Sequence, residues 1–211
     1  MTRQISRDFA QNESEQYHTS TTKMKSKKRC AWVDEKDELM VKYHDLEWGR
    51  PVRDSQKLFE FLVLESAQAG LSWRTVLHKR ENYRKAFARF NPKKVSKFGK
   101  KEVARLLKNS GIIRNRAKIE AAINNAKCFL AVEREFGSFT KYSWSFIKNK
   151  TIKHKIRKLK DYPPSIPEAE HFAEDLKKRG FKFLGPTTVY AHMQAVGMAD
   201  DHMANCFCRN K

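Results

Sequence analysis

The fold of this chain is best indicated by the stretch Leu106-Leu107-Lys108-Asn109-Ser110-Gly111-Ile112-Ile113-Arg114-Asn115-Arg116-Ala117-Lys118-Ile119. Apolar residues on both sides of Gly111 predict two short helices joined by a glycine turn. A glycine lets the backbone approach another molecule closely, and the start of the next helix offers N–H groups that suit a phosphate. Arg114, Arg116 and Lys118 add positive charge there. The stretch predicts a phosphate-binding hairpin, with an ordinary helical corner bearing solvated basic residues as the open alternative.

Helical patterns continue on both sides of this hairpin. Upstream, an apolar stripe is followed by two typical N-caps, Ser72 and Asn91-Pro92. The stripe consists of Leu58, Phe59, Phe61, Leu62 and Leu64. Downstream, we expect helices near residues 168–179 and 187–197, preceded by an exposed connection rich in lysine and proline over residues 148–167. The sequence indicates no strand and no internal repeat, so the predicted fold class is all-α.

Composition favours one domain that binds a polyanion. The 211 residues are 40% hydrophobic, enough for one sizeable core. Lys and Arg number 44 against 24 Asp and Glu, a net charge of +20, which favours phosphate contacts and nucleic acid. A lysine-rich surface that only aids solubility is the alternative. Residues 1–29 lack apolar periodicity and are interpreted as a disordered basic tail, and residues 30–211 as the helical domain.

Compartment and thiol state follow from what the sequence lacks. No stretch approaches the length of a membrane span, and the first residues have no apolar core of a signal peptide. We therefore expect a cytoplasmic protein with no membrane partner. The four cysteines do not form the dense pattern of a small secreted domain, so reduced thiols or a metal site fit better.

A set of aromatic residues accompanies one carboxylate. Trp32, Trp48 and Trp73 lie close in sequence to Tyr43 and to Glu65, which is set in an apolar helical stretch. A base flipped out of a duplex needs stacking partners of this kind. A buried glutamate needs a donor or a cation, and the amine edge of a positively charged base supplies both. Taken singly, each aromatic residue fits core packing better than base stacking, and the alternative for Glu65 is a cap or a surface pair.

The order of several motifs resembles the 3-methyladenine DNA glycosylase I family. The motifs are Arg29-Cys30-Ala31-Trp32-Val33, Tyr43-His44-Asp45-Leu46-Glu47-Trp48-Gly49, Leu64-Glu65-Ser66-Ala67-Gln68-Ala69-Gly70-Leu71-Ser72-Trp73, Lys79-Arg80-Glu81-Asn82-Tyr83-Arg84, the hairpin, and Lys177-Lys178-Arg179-Gly180-Phe181-Lys182-Phe183. The resemblance covers nearly everything from Cys30 to Cys206. It implies a helix-hairpin-helix fold that removes 3-methyladenine from double-stranded DNA.

The resemblance also implies roles for single residues. Tyr43 and Trp73 would sandwich the base, and Glu65 would form a hydrogen bond with its amine edge. The pocket would be completed by Trp32, Trp48 and Gln68. Gly70 and Leu71 would lie on the loop that approaches the gap left by the extruded nucleotide. Contacts with DNA phosphates would come from Gly111, Arg114, Arg116 and Lys118.

A structural zinc site is a further implication. His202 and Cys206 stand four residues apart, so they would face the same side of a helical turn, but this spacing alone is a weak signal. The resemblance adds Cys30 and His44, giving two Cys and two His that tie the chain ends together. Cys208 is a possible competing ligand.

Two other function classes remain open at this stage. A zinc-stabilised DNA-binding protein without catalysis would explain the charge and the hairpin, but it would not need the aromatic pocket with Glu65. An RNA-binding module would explain the charge, although the aromatic sheet motifs of one common class are missing. We expect a monomer. Helix-hairpin-helix glycosylases that attack harder bonds usually carry an aspartate after the hairpin, which stabilises charge on the sugar, and no Asp occurs here between Gly111 and Lys160. The resemblance therefore implies an enzyme restricted to cationic bases. Substitution by Glu133 or Glu135 is the alternative.

Overall fold

The computed structural model describes residues 27–209, and this part of the chain is mainly helical. The α-helices are α1 Glu38–Leu46, α2 Ser55–Gln68, α3 Trp73–Ala86, α4 Pro92–Val95, α5 Lys100–Leu107, α6 Arg116–Phe136, α7 Phe139–Ser145, α8 Pro167–Lys178 and α9 Pro186–Ala195. Short 3-10 turns span Ala88–Phe90 and Leu159–Asp161. Among these described residues, no helix combines the length and apolar character that a membrane crossing requires.

The helices begin where the sequence places capping side chains. The Ser72 hydroxyl accepts a hydrogen bond from the backbone N of Thr75, and the Asn91 side chain accepts one from that of Lys94. Such caps satisfy N–H groups that have no partner within the helix. The predicted caps are therefore confirmed. The helices expected near residues 168–179 and 187–197 are also present as α8 and α9, and each begins at a proline.

Helix α2 is the central element of the core. It packs against α3, α6, α7 and α9, and every residue from Leu58 to Ala67 is buried. A helix that is enclosed on all sides must also bury its polar residues. This explains how α2 carries Glu65 into the interior, where the side chain is 3% exposed.

The expectation that the chain contains no strand is wrong in one place. Ile152–Lys153 (β1) and Ala199–Asp200 (β2) form a two-stranded parallel ladder. Strands of two residues are too short to show the alternation of apolar and polar side chains by which strands are recognised. The ladder attaches the connection over residues 148–167 to the C-terminal part of the chain.

The folded part begins before Cys30. The Lys28 carbonyl accepts a hydrogen bond from the backbone N of Phe207, and the Arg29 guanidinium pairs with Asp45 at 2.8 Å. The sequence pattern places both residues in the tail, because a run of basic residues carries no sign of such distant partners. The rest of the predicted tail, residues 1–26, lies outside the described residues. The division into tail and domain stays a prediction.

Candidate active site

One pocket of about 550 Å³ lies between α1, the end of α2, the start of α3, α9 and the segment over residues 159–164. Its walls include all six residues predicted for a base pocket: Trp32, Tyr43, Trp48, Glu65, Gln68 and Trp73. The volume is in the range of pockets that enclose small molecules. Residues that lie far apart in sequence, from Trp32 to Trp73, are thus brought together around one cavity.

Glu65 is the buried carboxyl group of this pocket. Burial alone raises its pKa from 4.5 to about 8, and no residue in the range 27–209 forms a hydrogen bond with it. The pKa of Tyr43 is raised by burial and by the nearby charge of Glu65. Ionising a carboxyl group that is buried in this way costs free energy until a hydrogen-bond donor or a cation binds beside it. The position therefore suits a positively charged ligand with N–H groups.

Trp73 supplies the complementary donor. Its indole Nε1–H is buried and, within the described part of the chain, has no acceptor. Buried donors without partners are rare in folded proteins and point to a missing ligand or water. The pocket thus combines a hydrogen-bond donor on Trp73 and an acceptor on Glu65 within aromatic walls.

The predicted sandwich of a base between Tyr43 and Trp73 would require the two rings to move apart. Their ring centroids lie 5.0 Å apart and the rings are tilted by 43°. A planar ring between them would need two stacking distances of about 3.5 Å each, hence about 7 Å. The sandwich therefore stays a prediction, and it requires a rotation of at least one of the two side chains when the base binds. The residue types were predicted, but the side-chain rotations that set their separation leave no trace in sequence.

Helix α9 contributes pocket residues that the sequence analysis missed. Tyr190 and Gln194 line the cavity one helical turn apart, and both hold the carboxylate of the fully buried Asp201. The Gln194 amide nitrogen lies 2.7 Å from Oδ2 of Asp201, and the Tyr190 hydroxyl donates to the same oxygen. Tyr162 adds a hydrogen bond to the Asp201 carbonyl at 3.1 Å. The i, i+4 spacing of Tyr190 and Gln194 was the available signal, but it does not reveal their partner.

The loop between α2 and α3 lies beside the pocket, since Gln68 and Trp73 on either side of it are wall residues. Gly70 has φ +77°, a conformation that favours glycine, and a side chain there would meet open space. Leu71 is 42% exposed. The predicted loop residues therefore form an exposed apolar tip near the pocket.

The predicted hairpin is formed by α5, residues 108–115 and α6. Gly111 is required by a close contact, because a Cβ atom there would lie 2.9 Å from Cγ of Asn82. The backbone N of Gly111 donates to the Asn109 side chain and that of Ile113 to the Tyr83 hydroxyl. These two amides are used within the turn. The glycine therefore shapes the hairpin and does not present its own N–H to a ligand.

The three basic residues of the hairpin have different surroundings. Arg114 is exposed, and Arg116 is exposed in a pair with Glu120 at 3.2 Å. The predicted contact of Lys118 with phosphate would compete with contacts inside the protein. Its ammonium donates to the carbonyl oxygens of Ala67 at 2.9 Å and Ala69 at 2.5 Å, at the end of α2. Burial lowers the pKa of Lys118. A cation at a helix C-terminus is stabilising, so this contact is structural.

A cluster of possible metal ligands lies next to the pocket. The ligand atoms of His44, His202, Cys206 and Cys208 are all within 4.8 Å of one another. The predicted ligand Cys30 is not in this group, although its buried thiol lies beside Cys206, and burial raises its pKa to about 12. Cys208, which sequence placed only as a competitor, thus belongs to the same close group as Cys206 and the two histidines.

The hydrogen bonds of the two histidines fit a metal site. Nδ1 of His44 lies 2.8 Å from Oδ1 of Asp45, and Nδ1 of His202 lies 2.8 Å from Oδ1 of Asp200. Both rings therefore direct Nε2 into the cluster, and that atom of His202 is buried without a partner among the described residues. Carboxylates that orient histidines in this way are typical of zinc sites.

The cluster supports the pocket wall. The ring of Trp48 packs edge-on against His202 at 4.7 Å, and that of Trp32 against His44 at 5.3 Å. Trp32 and Trp48 also contact each other at 4.9 Å. Two walls of the pocket thus rest directly on the two histidines.

Comparisons with known proteins agree with this arrangement. The profile of the methyladenine glycosylase family matches residues 32–209. The chain belongs to this family. The DNA-3-methyladenine glycosylase of Haemophilus influenzae is 48% identical over 181 residues, which cover 86% of this chain and 97% of that protein. The DNA-3-methyladenine glycosylase 1 of Escherichia coli is 46% identical over 85% of this chain and 96% of its own length.

A solved structure of the family has the same fold. The crystal structure of a 3-methyladenine DNA glycosylase I superposes with a TM-score of 0.83 at 49% identity, covering 86% of this chain and 99% of that chain. The pocket of this methyladenine glycosylase family member is therefore the candidate for base binding.

Proposed function

We propose that this chain hydrolyses the bond between 3-methyladenine and deoxyribose in double-stranded DNA. The observation that carries the proposal is the buried Glu65 carboxyl group, which lacks a hydrogen-bond donor among the described residues and lies within a pocket walled by aromatic rings. Relatives at 46–48% identity carry the name of this activity. A variant of a related enzyme, with a TM-score of 0.81 at 39% identity, has been crystallised in complex with 3-methyladenine.

The chemistry of the lesion fits the pocket. Methylation at N3 gives adenine a positive charge, so the base can leave with the electrons of its bond to C1′ and become neutral. Water then forms the new bond to C1′ and loses a proton. An ionised Glu65 accepts from the amine edge of the base and balances its charge. Contact with the electron-rich faces of Tyr43 and Trp73 adds about 1–2 kcal/mol of cation–π attraction.

The DNA around the flipped nucleotide would be held by the loop and the hairpin. The exposed Leu71 is suited to fill the gap that the extruded base leaves, and Gly70 lets the loop approach the duplex. At the helix-hairpin-helix element, the exposed Arg114 would contact phosphates without reading sequence, and the exposed Arg116 would do so by exchanging its pair with Glu120 for a phosphate. Lys118 supports this element through α2.

The histidine and cysteine cluster is proposed to hold a structural zinc ion. His44, His202 and Cys206 would bind it. Cys30 would be the fourth ligand, because its buried thiol lies beside Cys206, and Cys208, which lies in the same close group, would be the competing thiol. Zinc bound by four protein ligands has no open position for water, so its contribution is to stability. A monomeric state and a cytoplasmic, nucleoid-associated location are proposed with this function.

The decisive experiment is base release from methylated DNA. Purified protein is incubated with DNA that has been treated with a methylating agent, and released bases are identified by chromatography. We expect 3-methyladenine, and much less of it from the Glu65→Gln variant. A protein that binds this DNA and releases no base would be a binding protein without catalysis, and that result would overturn the proposal.

A further inference from the structure

A run of basic residues crosses the surface beside the pocket. From residue 148 to residue 160 the chain contains seven Lys or Arg and no acidic residue. They are Lys148, Lys150, Lys153, Lys155, Arg157, Lys158 and Lys160, all of them exposed. Only Lys153 forms an ion pair within the described part of the chain, with Asp200 at 3.8 Å. We call residues 148–160 the basic strap.

The strap is fixed to the body of the protein by its backbone. The backbone N of Ile152 donates to the carbonyl of Met198 at 3.0 Å, and the buried Ile156 accepts at its own carbonyl from Ala204 at 2.7 Å. At its end, the Asp161 carboxylate accepts from the backbone N of Arg157 and Lys158. These attachments hold the chain in place and leave the basic side chains directed to solvent. A surface of this kind requires little ordering when a partner binds.

The strap leads to the mouth of the pocket. Leu159 lines the cavity and is 55% exposed, and it stands between Lys158 and Lys160. Tyr162 and the two prolines that follow it continue the same wall. A base can enter the pocket only if its own backbone phosphates lie close to this rim.

We propose that the basic strap binds the phosphates of duplex DNA next to the flipped nucleotide, as a second contact surface in addition to the hairpin. This inference rests on the proposed function and names a further part of its DNA-binding surface. The charge is complementary to a phosphate backbone. The apolar Leu159 at the rim lies where the exposed sugar and neighbouring bases of an opened duplex would pass. Contacts from lysine and arginine to backbone phosphates carry no sequence information, so we expect this binding to be independent of sequence.

The test is the salt dependence of binding to a duplex that contains an abasic-site analogue. The plot of log affinity against log salt concentration has a negative slope, and each phosphate contact makes it steeper by about 0.9. The variant K155S/R157S/K158S should reduce the steepness of this slope by about 2 to 3 and weaken binding at low salt at least tenfold. The matched control K127S/R134S/K141S removes three exposed charges from α6 and α7, none of which lines the pocket. It should change the slope by less than 1.

Two readouts separate this inference from the proposed function. Binding of free 3-methyladenine and the thermal unfolding temperature should be the same in the strap variant and in the wild type, because the pocket and the core are unchanged. Equal slopes for the strap variant and the control would refute DNA binding by the basic strap, even if the wild type releases 3-methyladenine. A wild type that releases no base would overturn the proposed function, while a lower slope in the strap variant would still support the strap.

Discussion

The ammonium of Lys118 on α6 donates to the carbonyl oxygen of Ala67 at the end of α2, at a distance of 2.9 Å. It makes a second hydrogen bond to the Ala69 carbonyl. Carbonyls in the last turn of a helix have no partner within the helix, so a cation there is favourable. This contact fixes the end of the helix that carries Glu65 and Gln68. It links the hairpin to the pocket.

Replacing Lys118 should therefore affect stability more than DNA binding. We expect Lys118→Met to lower the free energy of unfolding by about 1–2 kcal/mol, since two hydrogen bonds from a charged group are lost. The matched variant Arg114→Ser removes an exposed charge and should change stability by less than about 0.5 kcal/mol. Chemical denaturation measures both. If Lys118→Met proved as stable as Arg114→Ser but bound DNA more weakly, Lys118 would be a phosphate ligand after all.

The hairpin shows how far the sequence could predict this site. Its helices, its glycine turn and its charge follow from local patterns, and α5 and α6 appear where expected. The hydrogen-bond partner of the Lys118 side chain cannot be predicted in this way, because it lies on α2, 51 residues away in sequence. The same holds for Tyr190 and Gln194, whose orientation depends on the buried Asp201. Local sequence gives helix position and residue type, and packing between distant elements decides which polar groups remain free.

Glu65 should make the stability of the fold depend on pH. The unfolded chain loses this proton near pH 4.5, while the folded protein keeps it up to about pH 8. Its contribution to stability therefore falls as pH rises from 4.5 to about 8, and is constant above that. As pH rises over this interval, we expect the free energy of unfolding of Glu65→Gln to increase by about 2–4 kcal/mol relative to that of the wild type.

Unfolding free energies of both proteins at several pH values measure this difference. The buried amide that Glu65→Gln introduces adds an offset that does not change with pH, and all other titrating groups are shared. The informative quantity is therefore the slope, against pH, of the difference in unfolding free energy between the two proteins. A difference that is flat between pH 4.5 and pH 8 would show that Glu65 is ionised normally in the folded protein.

The cluster around His44 and His202 should contain zinc in purified protein. We expect one zinc ion per chain by elemental analysis when no chelator is used. Cys206→Ala should lower the unfolding temperature while the surviving folded fraction still binds free 3-methyladenine, because the metal holds the chain ends together outside the base pocket. Cys128→Ala, which changes a thiol outside the cluster, is the control. Zinc-free protein of unchanged stability would contradict the site.

Carboxylates near the pocket limit the chemistry that the enzyme can perform. Among the described residues, the pocket walls contain two acidic side chains, Asp34 and Glu65. Asp34 is paired with Arg74 at 3.3 Å. The alternative carboxylate Glu135 is held by Arg179 at 2.7 Å, and neither it nor Glu133 lines the pocket. A carboxylate dedicated to stabilising positive charge on the sugar is thus not evident in residues 27–209.

Excision should therefore be restricted to bases that are already good leaving groups. A cationic base such as 3-methyladenine leaves as a neutral molecule, whereas uracil and hypoxanthine would leave as anions, and their departure needs a group that stabilises the developing negative charge. Single-turnover excision is measured on duplexes that contain one alkylated adenine, one uracil or one hypoxanthine. We expect release of the alkylated base alone. Glu65→Gln and Trp73→Ala should each weaken binding of free 3-methyladenine, the first by removing the negative charge and the second by removing the aromatic face and the indole donor. Efficient release of either neutral base would mean that another group stabilises the departing base or the sugar, and it would refute this mechanism.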